Sequence, residues 1–323
     1  MSKKYDRRKN RKGKKKAALA IGVLALLLIL FSTAETVGID FTLSDYIAQK
    51  EPAMRDERIE SDLSSLHVDS TNALLIRLED DQILLSKNSD VRTYPASLTK
   101  MMTALVVIER AGNLNEEIVL DQSIFDQLIS ENASMAGFRS GEKITIRDLL
   151  YGVLLPSGAE ACLGLAEYLA GSEAEFVELM NEKADFLGME NTNFMNTTGL
   201  HHPEHFTTAE DMAKLLSYAL KNRTFENILT AKEYTVRENQ ADSKGHTLNS
   251  TLFMKLESYN RKRLNGEILG GKTGYTGEAG LCLASFARIG GQKYMLITMG
   301  ASGNLNTEQF NITDAIEVYS RIS

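Results

Sequence analysis

Cysteine is nearly missing from this sequence: there are two in 323 residues. That excludes a disulfide-dense small fold and a four-cysteine zinc module. Long apolar runs are missing too, apart from one near the start, which excludes a polytopic membrane protein. There is no internal repeat. Basic charge is scarce outside the N-terminus. Residues 1–16 hold ten of the 36 Lys/Arg and one of the 43 Asp/Glu, which leaves the rest of the chain 26 basic and 42 acidic residues, a net of −16. A body that acidic offers no basic face for phosphate, so nucleic acid is not an expected partner. What remains, 43% hydrophobic and 24% charged residues, is ordinary for a chain with a packed core.

The N-terminus reads as an export or anchoring device. Residues 1–16 form a basic cytoplasmic tail. Residues 17–34 carry no charge and would span about 27 Å as a helix, close to the ~30 Å hydrocarbon core. The cationic block holds its side of the membrane by the positive-inside rule, so the chain beyond faces outward. Ser32-Thr33-Ala34 is a small-residue site at which a signal peptide would be cleaved. The length of the cationic block favours a retained transmembrane signal-anchor instead. Residues 35–65 read as a juxtamembrane spacer and 66–323 as one extracytoplasmic domain, held at the cell membrane by a single pass.

Within that domain, strands come first and last with helices between. Ala73–Leu78 and Gln82–Ser86 flank Glu79-Asp80-Asp81 as a hairpin. Ser97–Ala111 has apolar residues at helical spacing, and Ile146–Leu155, Glu160–Ala170, Glu173–Leu187 and Thr208–Leu220 also read as helices. Gly280–Ala287 and Lys293–Met299 read as strands around Gly290-Gly291, and Asn311–Arg321 as a last helix. The expected fold is α/β of the α+β kind: a central, mostly antiparallel sheet flanked by helices, with a helical region inserted.

Three short segments carry chemistry. In Pro95-Ala96-Ser97-Leu98-Thr99-Lys100, the serine and lysine share one face at a helix start. A serine hydroxyl is a weak nucleophile until a base takes its proton. Lysine serves as that base when desolvation or a helix dipole lowers its pKa. Ser157-Gly158-Ala159 precedes a helix. Gly270-Gly271-Lys272-Thr273-Gly274-Tyr275 leads toward a strand and is not a phosphate-binding loop, since the required register is absent.

Alone, each segment fits an unremarkable helix cap or turn. Their order and spacing match the three signatures of penicillin-binding proteins and class A β-lactamases. YPASLTKMMTALVV, NFMNTTGLHHPEHFTTAEDMAKL and GGKTGYTGEAGLCLASFA resemble the DacA-like, low-molecular-weight D-alanyl-D-alanine carboxypeptidases of peptidase family S11, over about residues 70–320. The resemblance implies a β-lactamase/transpeptidase-like fold and a cofactor-free, metal-free serine peptidase. It implies Ser97 as acylated nucleophile, Lys100 as general base and Ser157 as proton relay. Lys272, Thr273, Gly274 and Tyr275 would bind substrate, with Lys272 supplying positive charge, Thr273 touching the substrate carboxylate, and the N–H groups of Ser97 and Tyr275 forming an oxyanion hole. Partners would be peptidoglycan stem peptides and β-lactams.

Departures accompany the match. Ala159 stands where the family's second motif usually ends in Asn. Ser302-Gly303-Asn304 offers no Arg where many relatives carry one. With no second β-rich domain or C-terminal amphipathic anchor in the sequence, attachment is expected to rest on residues 17–34. Two other readings stay open: a β-lactamase-like hydrolase, disfavoured for want of a class A acidic-loop glutamate, and a catalytically weak muropeptide- or β-lactam-binding protein. His201, His202 and His205 sit near Glu204 but lack a zinc-peptidase helix motif. Cys162 and Cys282 lie in apolar runs and read as two buried thiols.

Overall fold

Strands from both ends of the chain meet in one sheet. The structure, a computed structural model, describes Leu63 and residues 66–131, 133–237 and 245–322. The basic tail, the anchor at 17–34 and nearly all of the spacer lie outside the described residues. The sheet has the order β2-β1-β9-β8-β7, with every neighbouring pair antiparallel. β1 (Asn72–Arg77) and β2 (Gln82–Lys87) form the N-terminal hairpin. β7 (Gly266–Thr276), β8 (Gly280–Ile289) and β9 (Gln292–Ala301) form the C-terminal meander.

The middle strands are almost continuously apolar because both faces are covered. Side chains alternate across a strand, so each strand feeds two cores. Cys282, Ala284 and Phe286 of β8, with Met295, Ile297 and Met299 of β9, face the larger core. Leu283, Ala287 and Ile289, with Tyr294 and Leu296, face the smaller one, which also holds Ile312, Ala315, Val318 and Tyr319. The last four belong to the terminal helix, Phe310–Arg321. Asp314 on that helix accepts from the N–H of Asp69 and of Ser70 (2.8 Å each) and from Ser70 Oγ (2.6 Å), tying it to the entry of β1.

The larger core belongs to the helical region. In chain order its elements are α1 (Lys100–Arg110), β3 (Glu117–Val119), α2 (Gln122–Ser130), β4 (Lys143–Thr145), α3 (Ile146–Leu154), α4 (Ala159–Ala170), α5 (Glu173–Phe186), α6 (Ala209–Ala219), α7 (Arg223–Leu229), β5 (Glu233–Val236), β6 (His246–Asn249) and α8 (Thr251–Glu257). The terminal helix is therefore α9. Residues 100–107 of α1 are all buried, as expected of a helix enclosed on every side. Side chains cap the surrounding helices: Thr145 accepts from Asp148 N, Ser172 from Glu175 N and Thr208 from Asp211 N.

The Lys272-Thr273-Gly274 segment, expected to lead toward a strand, lies inside β7, the edge strand. Its glycines permit close backbone approach. A Cβ on Gly271 would stand 2.4 Å from the Ala284 carbonyl oxygen on β8.

Candidate active site

The turn that carries Ser97 is held under strain. Residues 96–99 form one 3₁₀ turn leading into α1, and Ala96 has φ +47°, a left-handed conformation that costs a side-chain-bearing residue about 1–3 kcal/mol. Two glycines from distant segments clamp it. A Cβ on Gly199 would stand 1.9 Å from the Ala96 carbonyl oxygen, and one on Gly274 would stand 3.0 Å from Ser97 N and 3.2 Å from Ala96 Cβ. Gly199 leaves no room for a side chain and Gly274 leaves very little, so the serine sits closely between the 196–200 loop and β7.

Lys100 opens α1 directly beneath. Its Nζ lies 3.4 Å from Ser97 Oγ and donates to the Thr198 carbonyl at 2.6 Å. The residue is buried, and burial pushes its pKa below the usual lysine value. One N–H of the amine is spent on the Thr198 carbonyl, and the same nitrogen has the Ser97 hydroxyl within reach.

The 196–200 loop that delivers this carbonyl is organised by Asn196. Its Oδ1 accepts from Thr198 N (3.2 Å), Thr198 Oγ1 (3.2 Å) and Gly199 N (2.7 Å), and its Nδ2 donates to Leu200 O at 2.9 Å. Below it, His205 is buried. Its Nδ1 accepts from Met195 N at 3.3 Å, so Nε2 carries the proton and donates to Thr99 Oγ1 at 2.9 Å. Burial drives its pKa down to about 3, so the imidazole is neutral. The other histidines have different partners: His201 meets Tyr94 edge-on and Glu278 at 3.9 Å, and His202 Nδ1 accepts from Glu204 N.

Ser97 and Lys100 face a cleft of about 610 Å³, whose wall also includes Ala159, Asn196, Thr198, Gly199 and Tyr275. The sequence-derived residues thus fall into two groups. Ser97, Lys100 and Tyr275 meet at the cleft, with Gly274 pressed behind Ser97. Lys272, Thr273 and Ser157 are buried and lie outside the lining. Lys272 Nζ donates to the Thr273 carbonyl at 2.9 Å, and burial, with Lys100 nearby as a second cation, holds its pKa well below the usual value. Thr273 Oγ1 pairs with Thr251 Oγ1 at 2.7 Å. Ser157 has φ +72° and a buried Oγ without a hydrogen-bond partner.

The second motif is built around an acid that sequence reasoning left without a role. Glu160 is fully buried at the start of α4, and its Oε1 accepts from the N–H of Ala136 (2.7 Å), Gly137 (2.9 Å) and Phe138 (3.3 Å). It pins the 136–138 segment, while Ala159 N binds the neighbouring Ser134 carbonyl at 2.8 Å. Both cysteines are buried and unpaired. Cys162 lies electrostatically close to Lys100, but burial pushes its thiol up to about 12, which leaves it un-ionised and inert at neutral pH.

The peptidase S11 family model, described as D-alanyl-D-alanine carboxypeptidase, matches residues 59–303. The D-alanyl-D-alanine carboxypeptidase DacF of Bacillus subtilis is 34% identical over 239 residues, 74% of this chain and 59% of that protein. The D-alanyl-D-alanine carboxypeptidase of Streptomyces sp. strain K15 is 32% identical over 243 residues, 71% of this chain and 80% of that protein. This chain therefore spans about three fifths of the first and four fifths of the second. The crystal structure of the Streptomyces K15 DD-transpeptidase superposes with a TM-score of 0.71 at 28% identity, covering 80% of this chain and 99% of that one. DacD of Francisella tularensis gives 0.67 at 25% identity, covering 80% and 71%.

Proposed function

Because the chain belongs to peptidase family S11, the D-alanyl-D-alanine carboxypeptidases, we propose that it removes the terminal D-Ala from peptidoglycan stem pentapeptides through an acyl-enzyme on Ser97, and that penicillin acylates the same serine. The observation that carries this reading is a buried, pKa-lowered Lys100 amine 3.4 Å from a cleft-facing serine hydroxyl on a strained turn.

In this reading Lys100 takes the Ser97 proton as Oγ attacks the carbonyl of the penultimate D-Ala. The leaving D-Ala amine receives a proton through Ser157, whose buried hydroxyl has no competing partner. Water then hydrolyses the ester. The N–H groups of Ser97 and Tyr275 hold the developing oxyanion, where one donor typically contributes about 3 kcal/mol. Lys272, buried on β7, is close enough to Lys100 that two ammonium groups side by side are disfavoured, and Lys272 is the one held well below its usual value. Thr273 is engaged with Thr251, so the substrate contact on β7 falls first to Tyr275. The reading further assigns residues 17–34 as a retained membrane anchor, with the catalytic domain outside.

Release of D-Ala from a synthetic pentapeptide, together with fluorescent-penicillin labelling, tests it. Ser97→Ala should abolish both while leaving the fold intact, since a helix-start change costs about 1 kcal/mol. The wild-type rate should climb with pH as Lys100 loses its proton, and level off at a pH below that of an ordinary lysine titration. Label retained by Ser97→Ala overturns the nucleophile, and rapid turnover of the bound penicillin favours a β-lactamase instead.

A further inference from the structure

We propose that Glu173 is a positioning residue for Lys100, holding Thr197 so that the next carbonyl, that of Thr198, keeps the amine on Ser97. This rests on the reading of Lys100 as the base for Ser97. Glu173 is the first residue of α5 and lies on the cleft wall, in none of the three motifs. Its Oε1 accepts from Thr197 N at 2.8 Å and from Thr197 Oγ1 at 2.7 Å. The Thr197 carbonyl accepts from Thr103 Oγ1 on α1 at 2.7 Å. Thr197 is thus gripped at its N–H, its side chain and its carbonyl, which fixes the peptide that follows. The Thr198 carbonyl is left in one orientation, 2.6 Å from Lys100 Nζ.

Among Thr103, Glu173, Asn196, Thr197 and Thr198, only Glu173 is ionisable to an anion. Its two bonds to Thr197 are charge-assisted and correspondingly strong. The same charge reaches Lys100. The titratable groups that act on Lys100 are Glu160 and Cys162 on α4 and Glu173 on α5, while Lys100 in turn lowers the pKa of Lys272 on β7. Burial lowers the lysine pKa, Glu160 and Glu173 pull it back up, and the un-ionised Cys162 adds no charge at neutral pH. Glu173 therefore sets both where the base stands and how readily it gives up its proton.

The test compares wild type with Glu173→Gln, Glu173→Ala and Thr197→Val. Second-order acylation by a fluorescent penicillin is measured from neutral to alkaline pH. Thermal unfolding and nitrogen-15 NMR titration of the Lys100 amine in the unliganded protein are measured alongside. Glu173→Gln keeps an acceptor oxygen for both Thr197 bonds. Its plateau should stay within about threefold of wild type, while its acid limb and the Lys100 midpoint move to lower pH because the anion is gone. Glu173→Ala should lose at least about tenfold at the plateau, since misplacement of a catalytic group by about 1 Å can cost a hundredfold. Thr197→Val, which loses one of the two bonds, should fall between.

A Glu173→Ala plateau and acid limb equal to wild type overturns the proposal. So do equal losses in Gln and Ala with an unmoved limb, which would mean general support of the loop. If Glu173→Ala does not fold, Gln and Val decide. If wild type takes no label at Ser97, the nucleophile reading fails by itself. The Lys100 titration then still judges Glu173, and an unmoved midpoint in Glu173→Gln overturns its role.

Discussion

Ala159 is where the chain departs most clearly from the family pattern, and its surroundings define what that departure does. The residue is buried, its N–H is spent on Ser134, and its methyl group forms part of the cleft wall with Leu128 and Leu163. An asparagine would bring two donors and an acceptor to this wall, and alanine brings none. A net hydrogen bond to a ligand amide contributes about 0.5–1.5 kcal/mol. If it forms only in the transition state, that is roughly two- to tenfold in rate. Ala159→Asn is therefore expected to speed penicillin acylation by that factor, read as the second-order rate at equal folded fraction. An equal or lower rate would show that the wall is closed around alanine, with Glu160 and the 134–138 segment holding it shut.

At the scale of elements, the serine turn depends on two segments that touch it from opposite sides, and the two contacts differ in severity. Gly199 has φ +79° and no space for a Cβ, so Gly199→Ala should cost both stability and acylation. Gly274 has an ordinary φ, and its Cβ would need Ser97 to yield by only a few tenths of an ångström. Gly274→Ala should leave thermal unfolding nearly unchanged while acylation falls about tenfold, because the nucleophile itself is what yields. Equal acylation in Gly274→Ala and wild type would mean that the turn is not clamped by β7.

The same elements show what sequence alone can tell. β1, α1, β8 and β9 announce themselves as apolar runs because they are covered on more than one side, and α9 through apolar spacing because it buries one face. β7 does not: its glycines are selected by approach of other backbone, a contact that periodicity does not encode. β3 pairs with β4 over three residues, across the whole of α2, and neither strand is long enough to show a pattern. In the site, three-residue spacing on a helix start fixes how Ser97 and Lys100 relate, and the order of the three segments along the chain singles the pair out. The Thr198 carbonyl is not singled out, since any residue supplies a carbonyl and only Glu173, Thr103 and Asn196 aim this one. Lys272 shows what a residue type leaves open: the resemblance gives it a positive charge at the site, and the fold places it on β7, buried and donating to the Thr273 carbonyl.

At the scale of the molecule, charge separates the chain into two parts, a basic tail and an acidic remainder. Beyond residue 16 the chain has a net charge of −16. Anionic headgroups repel such a body, and screening over a Debye length of about 8 Å leaves it no long-range attraction. Attachment in the proposed topology must then come from the tail and the apolar run. In that topology ten cations would stand against the inner leaflet, where each contributes about 1 kcal/mol near the surface, followed by eighteen uncharged residues long enough to cross. A retained helix predicts protein in washed membranes that keeps its N-terminus and resists extraction by both high salt and alkali, while detergent releases it. Neutralising the ten cations should disturb orientation rather than attachment, because apolar burial holds the helix and the cationic block sets its direction. Soluble mature protein beginning at Glu35 would instead identify Ser32-Thr33-Ala34 as a cleavage site.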